Sequence, residues 1–352
     1  MAGDATLELQ ALVSGAIRRH SPLNIQGGGT KQFLRPPGSG ETLDVTPHHG
    51  IINYEPSELV ITARAGTPLR EMENALAGES QMLAFEPPHF GEGATLGGTL
   101  ACGLSGPRRA HCGGARDFIL GMRIINGHGE VMRFGGEVLK NVAGYDVSRL
   151  MVGAYGSLGL ILDASLKVLP RPETEITVVL TYSQTAGLAF VSSLARRSLP
   201  VSATLVERDK VYLRLSGSAA AITAAHKQLG GESHETAAFW NAVKEHQHNF
   251  FRIERPLWRL TLPAHAPLAD LGGEYLIEWA GALRWLKSDA DPTRIKKYVR
   301  EYGGHARRID GADTAVLEHA DLPEPLMRLH ARTRAAFDPL RIFNPGCLHP
   351  LL

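Results

Sequence analysis

At 352 residues, and with about 150 residues per domain as a prior, the chain is expected to hold two domains that bury their cores without disulfide or metal staples. Lys plus Arg number 37 against 36 Asp plus Glu, a net charge of +1, which excludes the global field that gathers nucleic acid or an anionic membrane. No apolar run approaches the ~20 residues of a spanning helix, and Met1–Gln10 has neither a basic nor an apolar leader region, so the chain is expected in the cytoplasm.

In chain order, residues 6–20 place Leu7, Leu12 and Ile17 on one helical stripe that ends in Arg18-Arg19-His20. Leu23–Gln26 reads as a short strand and Leu59–Ala63 as another. Thr67-Pro68 then supplies a cap and a first-turn proline for a helix carrying Leu69, Met72 and Leu76. Phe118–Asn126 and Glu130–Phe134 form a hairpin about Gly127-His128-Gly129, and Leu158–Val168 is a further strand.

Composition changes beyond that point. Of 38 glycines, 27 lie in residues 1–170, whereas Trp240, Trp258, Trp279 and Trp285 all lie later. The boundary falls at Leu169-Pro170-Arg171-Pro172, where two prolines favour an extended linker. After it come strand Glu175–Tyr182, helix Thr185–Arg197, strands Ser202–Glu207 and Lys210–Ser216, and helix Ala219–Leu229. Strands Leu257–Leu262 and Leu283–Leu286 follow, then a helix Pro292–Tyr302 capped by Asp291. That order predicts an antiparallel sheet with helices on one face.

Two glycine-rich segments carry the chemical signal. Gly27, Gly28 and Gly29, with Thr30 and Lys31, follow a strand; their converging N–H groups form either an anion nest or a flexible turn. The spacing is neither a Walker A loop nor G-x-G-x-x-G opening a helix. Gly91–Arg109 has small residues at nearly every other place, which suits backbone approach to a large flat or phosphorylated ligand. Cys102, Cys112 and Cys347 form no C-x-x-C, so the chain carries no iron–sulfur cluster or dithiol of its own.

GGGT, then Pro87-Pro88 leading into G-x-G-A-T-L-G-G-x-x-A and Arg116–Gly121, resembles the FAD-binding domain of the vanillyl-alcohol oxidase type flavoproteins. Lys140–Asp146, Val152–Ile161 and the terminal Phe343-Asn344-Pro345-Gly346 extend the likeness over essentially the whole chain. Within the family the likeness is to the E subunits of bacterial glycolate oxidases (glycolate dehydrogenases), through Ser105–Arg109 and Glu278–Leu286. The resemblance implies an α+β fold: a two-subdomain FAD-binding domain over 1–170, an α+β cap with an antiparallel sheet over 171–335, and a tail, 336–352, that returns to the first domain. It implies that Gly27 through Lys31 hold the pyrophosphate. Pro88, Gly93, Thr95, Gly97, Gly98 and Ala101, with Gly103, Ser105 and Gly106, would pass along the phosphates, ribityl chain and flavin. Gly153, Gly159 and Ile161 would offer backbone contacts, and Asn344 would reach the ring. FAD is expected to bind noncovalently, because the first loop lacks the His through which family members attach it.

A flavin that oxidises a 2-hydroxy acid needs an Arg fork for the carboxylate and a group for the hydroxyl proton. Arg284 is the candidate for the first, with a solvated or structural arginine at least as strong an alternative; Lys140 and Tyr145 border the flavin-proximal loop in the family, with simple packing as the alternative for Tyr145. The family's self-sufficient dehydrogenases carry an H-x-G-D-G-N-x-H type segment in the cap, and no D-G-N occurs here. His246-Gln247-His248 is read as part of an exposed polar helix, so no metal is assigned. The expected activity is a shared one. The chain would be an FAD-containing subunit that, with a second, larger FAD-containing flavoprotein and an iron–sulfur subunit, oxidises glycolate to glyoxylate. The alternative is a non-catalytic electron-relay or scaffold subunit whose sister performs the oxidation. An NADPH-dependent reductase on the same flavin fold, such as the enolpyruvate-sugar reductase of cell-wall synthesis, is disfavoured by the tail and the GALRWL segment. Peripheral attachment at the inner face of the plasma membrane would come through the partners.

Overall fold

The computed structural model describes residues 3–34, 39–136, 146–252, 254–309 and 322–348. By its internal contacts the chain divides into two units, one formed by 1–105, 114–170 and 314–352 and the other by 106–113 and 171–313.

The first unit begins with α1 (Thr6–Arg19), which buries Leu9, Val13 and Ala16. The stripe expected from Leu7, Leu12 and Ile17 is therefore displaced around the helix, and Leu7 is 82% exposed. Strand β1 (Leu23–Gln26) pairs in parallel with β2 (Glu41–Asp44). Strands β3 (Ile51–Glu55) and β4 (Val60–Arg64) precede α2 (Leu69–Gly78), whose buried Leu69, Met72 and Leu76 follow the helical period. Thr67 does not cap α2. Pro68 occupies the N-cap position, and Thr67 Oγ1 instead accepts the Gly50 N–H at 2.9 Å.

Next come β5 (Gln81–Met82), α3 (Leu96–Cys102), a turn of helix α4 (Arg109–Cys112) that belongs to the second unit, and α5 (Ala115–Phe118). The predicted hairpin is β6 (Ile119–Ile125) and β7 (Val131–Gly135), its turn held by Asn126 Oδ1, which accepts the His128 and Glu130 N–H groups at 3.0 Å. After α6 (Val147–Met151) runs β8 (Leu160–Lys167), buried along almost its whole length because it lies mid-sheet. The five-stranded sheet has the order β3-β4-β8-β6-β7 with every pair antiparallel, and β9 (Leu169–Pro170) pairs with β5.

The second unit contains β10 (Thr174–Thr181), α7 (Gln184–Ser193), β11 (Val201–Glu207), β12 (Lys210–Gly217), α8 (Ala219–Leu229), β13 (Glu232–His234) and α9 (Ala237–Lys244). It continues with β14 (Leu257–Thr261), β15 (Gly273–Glu278), β16 (Leu283–Ser288), α10 (Pro292–Glu301) and β17 (His305–Arg308). These strands form one antiparallel sheet of order β13-β10-β12-β11-β15-β16-β14-β17. Alternation along each strand serves two cores. Val206, Val211, Leu213, Ile277 and Leu286 meet α7 and α10, while Leu205, Tyr212, Leu276 and Trp285 meet Trp240 and Val243 of α9. Both faces are covered, which corrects the expectation of helices on one face.

The last helix, α11 (Glu324–Phe337), belongs to the first unit, as does the tail after it. There Leu23 N–H donates to Ile342 O at 2.7 Å, and Leu23 bridges Phe343 in parallel. No described helix is long and apolar enough to cross a membrane.

Candidate flavin site

A cleft enclosing about 760 Å³ opens in the first unit, within the range of cofactor sites. One wall is the end of β1 and the loop after it, Gly27 to Lys31; a second is Thr95 with Gly97, Gly98, Ala101 and Cys102 of α3. Tyr155, Gly156, Gly159, Leu160 and Ile161 line a third, and Asn344 closes it from the tail.

The two glycine loops touch backbone to backbone. A Cβ on Gly28 would stand 1.5 Å from Gly93 O, and one on Gly27 2.4 Å from Thr95 Oγ1, so these positions admit only glycine. Gly93 therefore supports the first loop from behind and is not itself in the cleft lining. Thr95 accepts the Gly98 N–H at 3.3 Å and so fixes the start of α3. Asn344 is buried, takes the Ile25 N–H on Oδ1 at 2.7 Å and donates Nδ2 to Tyr155 O at 2.6 Å. One amide thus ties the tail to two walls.

Of the residues expected to contact FAD, the cleft gathers Gly27, Gly28, Gly29, Thr30, Lys31 and Thr95, together with Gly97, Gly98, Ala101, Gly159, Ile161 and Asn344. Pro88, Gly103 and Ser105 lie outside its lining, and Gly153 faces a different cavity. Gly106 belongs to the second unit, where its carbonyl accepts Trp279 Nε1–H at 3.0 Å. Reading the sequence missed Val45 and Ala65, which contribute through position in the fold and belong to no motif, and passed over Gln26, Cys102 and Tyr155 although they lie in or beside the motif segments.

Among the candidates for substrate chemistry, Lys140 and Tyr145 lie outside the described residues. Arg284 is fully buried on β16, and its guanidinium donates to Gly281 O, Pro267 O, Ala266 O and the Tyr298 hydroxyl. With four donors committed to the interior it cannot grip a substrate carboxylate as placed, and of its two expected roles it takes the structural one. It braces the turn at Trp279, Ala280 and Gly281, three consecutive residues with φ of 54°, 53° and 103°.

His246 also departs from expectation. Helix α9 ends at Lys244, so His246 lies beyond it, stacked on Phe251 at 4.2 Å and edge-on to Trp285 at 4.7 Å. Burial, with Arg259 nearby, pulls its pKa down to about 4. His248 caps the next turn by accepting the Phe250 N–H.

The site fits a flavin dinucleotide on its own chemistry. Among the described residues no carboxylate lines the cleft, Lys31 adds a cation beside the glycine loop, and Val45, Ala65, Leu160 and Ile161 offer apolar surface for a flat ring. These features define a flavin-binding chain, and the FAD binding domain family matches residues 4–135. The whole chain is 47% identical over 346 residues to the glycolate oxidase subunit GlcE of Escherichia coli (strain K12), covering 98% of each, and it belongs to that family of glycolate oxidase subunits.

It is also 30% identical over 213 residues to the glycolate oxidase subunit GlcD of Bacillus subtilis (strain 168), covering 59% of this chain and 45% of that one. A D-lactate dehydrogenase of Anaerostipes hadrus is 31% identical over 41% of this chain and 30% of its own length. Alkyldihydroxyacetonephosphate synthase shares the fold, with a TM-score of 0.67 at 15% identity over 96% of this chain and 75% of its own.

Proposed function

We propose that this chain is the FAD-containing subunit of a multi-subunit glycolate oxidase, in which glycolate becomes glyoxylate and the electrons pass to a partner iron–sulfur subunit. The observation that carries the reading is the glycine-walled cleft, with no carboxylate among its described lining residues, in a chain 47% identical to GlcE over 98% of its length. Bound there, FAD would supply a two-electron acceptor for the hydride of a hydroxylated carbon. The chain's own part is to cradle the pyrophosphate on Gly27–Lys31, cover the ring with Leu160 and Ile161, and hold the tail closed through Asn344.

The first glycine loop, Gly27 to Lys31, has no histidine, so FAD is held noncovalently, and acid precipitation of the purified subunit releases the yellow colour. Colour that stays in the pellet refutes this. A second reading has its own support: the burial of Arg284 removes the sequence's candidate for carboxylate recognition. In that reading the chain relays electrons and a sister flavoprotein meets the substrate. The visible spectrum of the isolated chain, with and without anaerobic glycolate, separates the two. Bleaching supports oxidation on this chain; an unchanged spectrum beside a bleaching intact complex supports the relay.

A further inference from the structure

A second cavity of about 720 Å³ lies in the first unit between α11 and the Leu150–Leu158 segment. Leu150, Val152, Leu158, Leu329 and Leu348 make it mainly apolar; among the described residues no acid lines it, and its arginines are Arg116 and Arg334. The Arg334 side chain is 3% exposed. Its Nη2 donates to Phe343 O at 2.7 Å and reaches Asp338 at 3.4 Å, whereas Nε and Nη1 have no hydrogen-bond partner among the described residues. Buried donors left in that state call for an acceptor from outside.

Around the cavity the surface is equally unfinished. Arg334 is the one buried residue among the 14 of α11, while Leu329 is 59% and Leu150 41% exposed. Resting on the reading of this chain as a subunit, we propose that this groove docks a segment of a partner subunit that carries an aliphatic side chain beside a carboxylate. The carboxylate meets Arg334, with Arg116, which donates to Val152 O, also lining the cavity, and the aliphatic group covers Leu150 and Leu329. A protein segment fits better than a free acid because the exposed leucines extend the apolar surface beyond the cavity's mouth. The same loop that walls the groove, Val152–Leu158, also carries Tyr155 and Gly156 of the flavin cleft.

The test purifies the complex through a tag on this chain, comparing wild type with Leu150→Glu, Leu329→Glu and the double variant. Both residues are exposed and outside the flavin cleft, so FAD per chain stays constant while partner subunit recovered per chain falls at least tenfold. In a second arm, Arg334→Lys in the assembled complex is treated with a water-soluble carbodiimide. An amide joining position 334 to an Asp, Glu or C-terminal carboxylate of the partner supports the proposal, and cross-links confined to Asp338 overturn it. Undiminished partner recovery from the double variant overturns docking here and leaves the subunit reading standing, whereas a wild-type chain that purifies alone overturns both. Stabilisation of the isolated chain by millimolar butyrate, lost in Leu329→Glu while assembly persists, would assign the groove to a small acid and also overturn it.

Discussion

Gly28 carries a demand that reading the sequence placed on the ligand and the structure places on a neighbour. The expected reason for glycine was room for a pyrophosphate, but the atom a Cβ would strike at 1.5 Å is Gly93 O. A backbone cannot swing aside as a side chain can, so Gly28→Ala should force the two loops apart and lose flavin and stability together. Absorbance near 450 nm falling below a tenth of wild type, with a lowered melting temperature and no recovery on adding FAD, is the expected outcome; normal flavin content would contradict it. His246 makes a prediction of the opposite kind, about protons. Its folded pKa of about 4 lies below the ordinary 6.5 of histidine, so below pH 6.5 the unfolded chain binds a proton that the folded chain refuses. The stabilisation is complete above pH 6.5 and is lost as pH falls toward 4, by roughly 2–3 kcal/mol. His246→Phe, which keeps the stack on Phe251 and has nothing to titrate, should flatten that part of the urea midpoint against pH curve. An unaltered curve would place the acid sensitivity elsewhere. The motif that contained His246 was legible; its burial was not, because that depends on Trp285 from a strand 39 residues later.

At the scale of elements, the sequence was most readable where period and punctuation agreed. Ala219–Leu229 is helical at the bounds expected, and Asp291 caps α10 by accepting the Thr293 N–H at 2.7 Å. It failed where a strand's neighbours supply the pattern: Gly273–Glu278 sits mid-sheet between β11 and β16, so its buried Tyr275-Leu276-Ile277 faces both cores and shows no alternation. Helix α11 was missed for the opposite reason, since its leucines are exposed and its one buried side chain is an arginine. The segment Gly106–Gly113 illustrates what only the fold could show. Arg108 pairs with Glu175 on β10, Arg109 stands 4.4 Å over Trp279, and Gly106 O receives the Trp279 indole N–H, which together fasten this stretch to the second unit. Burial raises the Glu175 carboxyl, but the Ser216 hydroxyl at 2.5 Å, Arg108 and Arg214 outweigh it and hold its pKa below the usual range. Arg108→Ala leaves that carboxylate with Ser216 and a distant Arg214 at 4.0 Å, and should cost about 3 kcal/mol. Chemical denaturation followed by tryptophan fluorescence would show it, and a loss below about 0.5 kcal/mol would demote the pair to a surface contact.

The distribution of residues over the whole molecule allows each unit to be watched alone. Trp240, Trp258, Trp279 and Trp285 all lie in the second unit, whereas the residues lining the flavin cleft all lie in the first. Each unit has its own sheet, and the second closes two cores on the faces of its own. A ligand that binds only the native form of one unit stabilises that unit by mass action, about 2.7 kcal/mol at a hundredfold excess over its dissociation constant. Added FAD should therefore raise the urea midpoint of flavin release with its concentration, while the tryptophan transition moves by less than half as much. The two probes would then give separate curves, and a single two-state free energy would not describe the chain. Coincident transitions that shift together at every FAD concentration would show instead that the units unfold as one, and that the four chain crossings between them couple the flavin cleft to the tryptophan-rich sheet.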